Sequence, residues 1–500
     1  MRPLIATFIY GVAIAVLFRL ERDRTSKPSK VLWLPVISLL ISGSRPVSFW
    51  LNMQPGTSPE QLLEGSPVDA AIALGLIIAG IVVLVNRQAA IARLFRANAA
   101  LLPFLAYCAL SICWSDYPGV AFKRWIRLLG DFTTVLIVLT DRHPSRAMYW
   151  VLTRVGFVLV PVSMLLIKYY PDIARYYDPW TGRQFVSGVA TDKNMLGMVC
   201  LVYGLGALSQ FIVVYQTQKR RLRVRRMIAY GALLAMLFWL FSAADSMTSL
   251  TCFYMGGFLI IMTSFPKIAR RQPIVHLLVA ILVTASFGVL FLHAGEGAAL
   301  AQMGRNPTLT GRTEIWTGLL RFAGSPLFGV GFDSFWLGER VQRIGASGGF
   351  LAGINEAHNG YLETYLNLGW VGVGLLLAII VIGYRHIMVT LRRERSVGTL
   401  SLAFFVVAVI YNFTEAGFRA GSSVWFALMF SILVVPAVPA LERSPKPTRR
   451  PWGLQRTLSH ALHVSEAELQ ECEVMLDPLG AMRPRVAGSS AQTGCRKDQV

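Results

Sequence analysis

One histidine, His358, lies at a position where its ring could accept a proton from a hydroxyl group. Residues 355–363 read Asn-Glu-Ala-His-Asn-Gly-Tyr-Leu-Glu, and an apolar run follows. With Asn355 as the N-cap, His358 falls in the first turn of a helix, where the helix dipole disfavours the imidazolium form. The pattern predicts a neutral ring that acts as general base on a hydroxyl group, oriented by Glu356 or Glu363. A helix-start histidine that binds a loop carbonyl explains the same residues equally well.

A second group of residues could bind phosphate. Arg312, Glu314 and Trp316 lie at a predicted helix start, and a glycine-rich turn follows at 324–331. A guanidinium offers two parallel donors to phosphate oxygens, so arginine beside apolar surface suits a lipid-linked phosphate. Snorkelling of the side chain to lipid headgroups is the alternative for any single arginine here. The glycine turn lacks the lysine and the preceding strand of a nucleotide-binding loop.

The elements that position these residues are membrane helices. The chain has 500 residues, 54% hydrophobic and only 15% charged, whereas about a quarter of an average soluble domain is charged. About thirteen runs are long and apolar enough to span a bilayer. They lie near 4–20, 31–51, 68–86, 98–113, 124–140, 148–168, 194–215, 227–243, 247–265, 273–293, 358–383, 399–414 and 421–439. The expected fold class is an all-α polytopic integral membrane protein with about 12–13 transmembrane helices.

The net charge is +21, and the distribution of the basic residues among the loops predicts the orientation of these helices. Such an excess is typical of nucleic-acid or anionic-lipid binding, but 23 of the 48 basic residues fall in alternate short loops, as the positive-inside rule requires. The N-terminus is therefore expected outside and the C-terminus in the cytoplasm, and no nucleic acid is needed. Two long outer loops, 169–193 and 294–357, carry cations against this trend, and the second should contain short helices.

The predicted organisation has three parts. Residues 1–67 form N-terminal transmembrane helices, and residues 68–440 form the main membrane domain, including the long outer loop 294–357. From residue 441 to residue 500 proline and charged residues replace the apolar runs. This composition predicts a disordered cytoplasmic tail.

The order of several short motifs resembles that of the O-antigen ligase/polymerase superfamily of bacterial membrane glycosyltransferases. The residues that carry the resemblance are Gly311-Arg312 with Trp316, Pro326 with Gly329-Val330-Gly331, and His358-Asn359-Gly360-Tyr361-Leu362 with Gly369 and Gly372. Residues 187–197, Ser-Gly-Val-Ala-Thr-Asp-Lys-Asn-Met-Leu-Gly, are similar to the exopolysaccharide-production polymerase branch. The resemblance covers about residues 68–439.

The resemblance implies an enzyme in the bacterial inner membrane that moves glycan from an undecaprenyl-diphosphate carrier onto a sugar hydroxyl at the periplasmic face. It implies that His358 is the general base that activates the acceptor hydroxyl and that Arg312 holds the diphosphate, with no metal and no cofactor. Chain-length regulator and export proteins are expected partners, besides the lipid bilayer. Expected substrate contacts are Arg183, Lys193, Asn194, Glu314, Trp316, Asn359, Tyr361 and Arg124. Where such proteins usually carry a further basic residue this chain has Met247, so Arg183, Lys193 or the Lys123, Arg124 and Arg127 group is expected to replace it.

Residue chemistry agrees with transfer without a metal. The chain has no Asp-x-Asp motif, and no outer cluster of histidine and carboxylates shows metal-ligand spacing in the sequence.

Two alternatives to a polymerase remain. An O-antigen ligase, which transfers glycan to lipid A core, would use the same residues. A polysaccharide transporter or flippase would need ionisable groups within the spans, and only Arg154 and Asp131 are expected there.

Overall fold

The computed structural model describes residues 2–22, 28–53, 65–177, 182, 184–291 and 310–435. The α-helices are α1 (Pro3–Glu21), α2 (Trp33–Ser42), α3 (Val47–Trp50), α4 (Pro67–Val85), α5 (Gln88–Ala97), α6 (Leu101–Leu110), α7 (Pro118–Leu139), α8 (Pro144–Tyr169), α9 (Pro171–Ala174), α10 (Lys193–Thr217), α11 (Arg220–Ala244), α12 (Met247–Ser264), α13 (Pro266–Ala269), α14 (Gln272–Phe291), α15 (Thr310–Leu320), α16 (Gly338–Ala346), α17 (Gly360–Arg393), α18 (Arg395–Tyr411) and α19 (Ser423–Ile432). Strands β1 (Arg175–Tyr177) and β2 (Gln184–Val186) form an antiparallel pair. Short 3₁₀ turns occupy Lys30–Leu32, Ser111–Trp114 and Gly349–Leu351.

The predicted fold class is confirmed, since the described chain is helical apart from one small hairpin. Among the described residues, seven helices are long and apolar enough to cross a membrane: α1, α4, α8, α10, α11, α12 and α17. A pair formed by α5 and residues 101–114, bent by 95°, makes an eighth.

The remaining predicted runs form shorter or more polar helices. The segments Lys30–Ser42, Gln272–Gly288, Arg395–Tyr411 and Ser423–Ile432 are apolar but only 10 to 17 residues long. Helix α7 is 22 residues long and carries Lys123, Arg124, Arg127 and Asp131. Helix α7 is therefore long enough to span a membrane but carries charges in its first half. This charged half contributes to the site described below.

One hydrophobic core joins helices from both ends of the described chain. It includes Leu39 from α2, Phe157 from α8, Leu201 from α10 and Phe404 from α18, each with 2% or less of its surface exposed. Helices α10 and α18 lie at its centre. The chain divides at Pro436, and residues 437–500 lie outside the described part, so the tail predicted from residue 441 stays a prediction.

Helix α1 is fastened to the bundle by a buried ion cluster. Glu21 Oε2 lies 2.7 Å from Arg154 Nη2, and Glu21 Oε1 lies 3.6 Å from Arg226 Nη2. The Arg154 guanidinium also lies over the rings of Phe18 and Trp150. Arg154, which was predicted to lie within a span, is thus paired inside the protein. Its role is in the packing of helices against one another.

Helix α17 is broken at Gly369, whose φ of 63° and ψ of −166° are not helical. The turn at 326–331 fills the break: Trp370 N donates to Pro326 O at 2.9 Å, and Gly331 N donates to Asn367 O at 2.9 Å. A side chain at Gly329 would overlap the Asn367 carbonyl. The glycine-rich turn therefore supplies hydrogen bonds to an interrupted membrane helix. The close approach to that helix accounts for Gly329, so phosphate binding is not needed to explain the glycine.

The described part of the long outer loop contains the predicted short helices. Ile315 and Leu319 of α15, Ile344 of α16, Phe335 and Leu366 form a second, smaller core. This core packs the loop onto the first turns of α17. It therefore sets the position of residues 356–360, which connect the loop to the helix.

Candidate active site

His358 lies just before α17, in an unusual backbone conformation. Its φ is 50°, which a residue other than glycine adopts only at a conformational cost. Asn359 is the N-cap of α17, and its side chain accepts from Tyr361 N and Leu362 N at 3.0 Å. The prediction of Asn355 as N-cap is wrong, because the helix begins later, at Gly360. His358 consequently precedes the helix instead of lying in its first turn.

Two carboxylates contact the same nitrogen of His358. Its Nδ1 is 3.1 Å from Glu356 Oε1 and 3.3 Å from Glu415 Oε2. The prediction that Glu356 orients the ring agrees with this contact. Glu363 does not orient it: its carboxylate accepts from Ala357 N and from Trp336 Nε1. Glu363 therefore fixes the peptide beside His358, and the ring itself depends on the other two acids.

These acids change the protonation of the ring. Burial lowers the pKa of His358, but the hydrogen bonds and negative charges of Glu356 and Glu415 outweigh it and raise the pKa to about 9. The expectation of a ring kept neutral by the helix dipole is wrong for the unliganded protein. Two carboxylates at hydrogen-bonding distance act more strongly on the imidazolium than the end of a helix does.

Two arginines complete the pairing of the carboxylates. Arg312 Nη2 lies 2.8 Å from Glu415 Oε1, and Arg419 Nη1 lies 3.1 Å from Glu356 Oε2. Burial raises the pKa of Glu356, but the hydrogen bond from His358 and the charges of Arg419 and Arg312 outweigh it and lower that pKa. Three cations thus surround two anions, and the cluster has a positive excess.

Glu415 connects the most distant parts of the site. Only 4% of its surface is exposed. Besides contacting Arg312 and His358, its Oε2 accepts from Asn194 Nδ2 at 3.3 Å, which brings the start of α10 to the site. The turn that carries Glu415 is held by Gly360 N, which donates to Asn412 O and to Glu415 O. The acid is therefore fixed by both its backbone and its side chain.

Further cations lie on the neighbouring surface of α7. Arg124 donates to Asp333 O and lies 3.5 Å from Asp333 Oδ1. Burial raises the pKa of Asp333, although Arg124, Arg419 and Arg127 act in the opposite direction. A Cβ added at Gly421 would be 2.8 Å from the Arg127 guanidinium. The basic group predicted on α7 therefore borders the turn that contains Arg419.

Several predicted substrate contacts have structural partners. Trp316 Nε1 donates to Ala357 O at 2.9 Å, next to His358. Asn359 caps α17, and Tyr361 donates to Val409 O at 3.0 Å while its ring packs on Phe413 and Phe418. Each of these three side chains therefore supports the loop that holds His358, and contact with substrate stays a prediction for them.

The other predicted residues are distributed around the site. Asn194 reaches Glu415, as described above. Lys193 begins α10, and its Nζ lies 3.7 Å from the centre of the Phe185 ring. Glu314 is exposed on α15. Arg183 lies outside the described residues, so the structure says nothing about it.

Glu415 and Arg419 were not predicted from the sequence. They lie in the short turn between the predicted spans 399–414 and 421–439. By the topology rule this turn is on the outer face, where a cation is not needed for orientation. The same criterion that selected the arginines of the long loop would have selected Arg419, and the acid four residues before it would have followed.

The site includes a set of possible metal ligands. The ligand atoms of Glu356, His358 and Glu415 lie within 4.8 Å of one another. The sequence-based statement that no outer cluster of this kind exists is wrong, because Glu415 is remote in sequence from the other two. However, each of the four carboxylate oxygens already contacts His358, Arg312 or Arg419. A divalent cation would have to displace these cations, so the surroundings suit an anion better.

Comparison with known proteins agrees with this picture. Residues 232–379 match a family model described as O-antigen ligase. The exopolysaccharide production protein ExoQ of Rhizobium meliloti (strain 1021) is 26% identical over 294 residues, which is 56% of this chain and 63% of that protein. The match thus covers less than two thirds of the relative's length. Both matches agree with the resemblance to the O-antigen ligase/polymerase superfamily that the sequence motifs indicated.

Proposed function

We propose that this protein is a membrane glycosyltransferase that polymerises undecaprenyl-diphosphate-linked oligosaccharide repeats into exopolysaccharide or O-antigen. The proposed site of reaction is the periplasmic face of the bacterial inner membrane. The observation that carries the proposal is the cluster in which His358 and Arg312 both contact Glu415, at 3.3 Å and 2.8 Å. A proton acceptor and an anion-binding group then lie within reach of one substrate.

His358 would accept the proton of the attacking sugar hydroxyl. Because Nδ1 faces Glu356 and Glu415, a proton held at Nδ1 leaves Nε2 with its lone pair directed away from the acids. A histidine oriented by a carboxylate in this way is a common general base. The same carboxylates stabilise the imidazolium that forms when the hydroxyl proton moves to Nε2.

The diphosphate would leave under the charge of the arginines. The hydroxyl oxygen forms a bond to the anomeric carbon while the bond from that carbon to the diphosphate oxygen breaks, and the electron pair stays on the diphosphate. Arg312 has 25% of its side chain exposed and Arg419 has 52%. Both can therefore turn from their acids towards an incoming anion and offer paired donors. Fixed positive charge at the developing anion accelerates such a step without a metal. Attack opposite the leaving group inverts the anomeric configuration.

The charge of the site supports an anionic substrate. In the active form, with His358 neutral, Glu356 and Glu415 offset the two charges on Arg312 and Arg419. Arg127 adds a further cation on α7. Met247, at the start of α12, supplies none. Arg127 and Arg419 are therefore the groups we propose to act in place of the basic residue usual in the superfamily.

Purified protein in liposomes, supplied with the lipid-linked repeat alone, tests the proposal. A polymerase produces longer lipid-linked chains from this single substrate. The loop variant Arg343→Gln is a suitable control, because Arg343 is an exposed arginine of the same loop on α16. Transfer that occurs only when lipid A core is added would identify a ligase and overturn polymerisation. Movement of the lipid-linked repeat across the liposome membrane without any transfer would identify a flippase instead.

A further inference from the structure

A second polar site lies between α14 and α17, far from His358. It is a cavity of about 410 Å³. Its wall includes Gln272 and His276 from α14, and Tyr384, Arg385, Val389 and Arg392 from α17. The His276 ring nitrogen Nδ1 and Tyr384 Oη are 2.7 Å apart and connect the two helices across it. We call this cavity the α14/α17 slot.

The α14/α17 slot lies at the opposite end of α17 from the candidate active site. Tyr384 follows Gly360 by about 24 residues, and an α-helix rises about 1.5 Å per residue. The separation along the helix is therefore about 36 Å, which exceeds the thickness of the hydrocarbon core, about 30 Å. The slot therefore faces the other leaflet, which the positive-inside rule assigns to the cytoplasm.

The part of the α14/α17 slot that the structure describes is cationic. Arg385 and Arg392 are both exposed, and none of the described lining residues is Asp or Glu. Within the described residues, neither arginine has an ion pair with a carboxylate. Two unpaired guanidinium groups beside a cavity at a membrane surface indicate an anionic ligand.

The wall of the slot continues as apolar surface along the membrane-spanning part of α17. Leu377, Val381, Arg385 and Val389 follow one another at intervals of four residues, and Arg392 lies three residues further, so all five share one helix face. Leu377, Val381 and Val389 are 46%, 55% and 43% exposed. A ligand with an anionic head and an apolar tail matches this face, whereas a free phosphate would contact only its polar end.

We propose that the α14/α17 slot binds one anionic phospholipid of the inner leaflet. Its phosphate lies between Arg385 and Arg392, and its acyl chain runs along Val381 and Leu377. Basic pockets between membrane helices on the cytoplasmic side are a recognised form of lipid-headgroup site. The lipid fills a gap that α14 and α17 leave between them, and it is independent of the reaction at His358.

Native mass spectrometry of the full-length protein tests this site with phosphatidylglycerol and phosphatidylcholine as probes. Phosphatidylglycerol should bind in preference, and the double variant Arg385→Gln/Arg392→Gln should bind it at least about tenfold more weakly. The matched control is Arg393→Gln, since Arg393 is exposed on the same turn but does not line the slot. Equal binding of both lipids, or an equal loss in the control, would overturn the proposal.

A photoreactive residue introduced at Val389 supplies a second measurement that does not depend on affinity. A cross-linked product with the added mass of phosphatidylglycerol in wild-type background, absent when the two arginines are replaced, supports the site. Cross-linking to a peptide from residues 437–500 of the same chain would show that the tail occupies the slot. Protection of the cavity by inorganic phosphate alone would show a soluble anion. Either result would overturn the lipid proposal.

Discussion

Glu415 Oε2 lies 3.3 Å from Nδ1 of His358, although the two residues are 57 positions apart in the chain. The contact joins the loop before α17 to the turn after α18. It also gives the histidine a nearly buried carboxylate partner, whereas Glu356 is contributed by the loop itself. The geometry of the site therefore depends on a residue that lies beyond the segment matched by the O-antigen ligase model, 232–379.

The first prediction concerns pH. A base must be deprotonated to act, and the pKa of His358 is raised to about 9. We expect kcat/KM of the wild-type protein to rise with pH and to level off above about 9. Glu415→Gln removes one of the charges that raise this pKa, so its profile should turn at lower pH. The measurement is the initial rate of chain extension as a function of pH; identical profiles for both proteins would contradict the role given to Glu415.

The second prediction concerns the two arginines of the cluster. Arg312→Gln and Arg419→Gln should each lower kcat/KM by about 10²-fold to 10³-fold, because each removes a charge-assisted donor from the leaving group. Arg312→Lys should recover part of the loss, since it keeps the charge but not the paired donors. Rates with the purified lipid-linked substrate measure this. Wild-type kinetics for Arg419→Gln would remove Arg419 from the site, and Arg343→Gln should remain unaffected.

The third prediction concerns the break in α17. Gly329→Ala places a side chain against the Asn367 carbonyl at a positive φ of 68°. The conformation alone costs about 1–2 kcal/mol, and the overlap adds to it. The melting temperature in detergent should fall. Gly374 lies in α17 with nothing within 4 Å of an added Cβ, so Gly374→Ala serves as the control. Equal melting temperatures for the two variants would contradict the description of the 326–331 turn.

The fourth prediction concerns divalent cations. Because the oxygens of Glu356 and Glu415 are engaged by His358, Arg312 and Arg419, we expect EDTA to leave the rate of chain extension unchanged. Added magnesium or zinc should not raise the rate. Loss of activity on chelation, restored by one metal ion, would instead show that the three residues bind that ion during the reaction.

The sequence predicted the fold class because its information is local. Apolar runs indicate membrane helices by length and composition alone, and alternating loop charge indicates orientation. His358 and Arg312 were selected in the same way, from their neighbours in the chain. The break at Gly369 was not expected, because it exists only in combination with a turn forty residues earlier, whose backbone groups satisfy it.

The contacts that assemble the rest of the site could not be predicted, because they join distant segments of the chain. Glu415 and Asn194 meet across 221 positions in the chain. The protonation of His358 follows from this assembly: Glu356, close in sequence, was anticipated, and together with Glu415 it raises the pKa of the ring. Trp316 and Tyr361 were predicted as substrate contacts from the resemblance, and their hydrogen bonds to Ala357 and Val409 support the loop that holds His358.

The proposed mechanism requires both His358 and Arg312 for the transfer. Its most direct test is the length of the polysaccharide made by cells that carry His358→Ala or Arg312→Ala in place of the wild-type protein, with equal membrane levels verified by immunoblot. We expect both variants to abolish polymer, since loss of a general base alone costs about 10²-fold to 10⁴-fold in rate. Polymer of normal length and amount in both variants would contradict the mechanism.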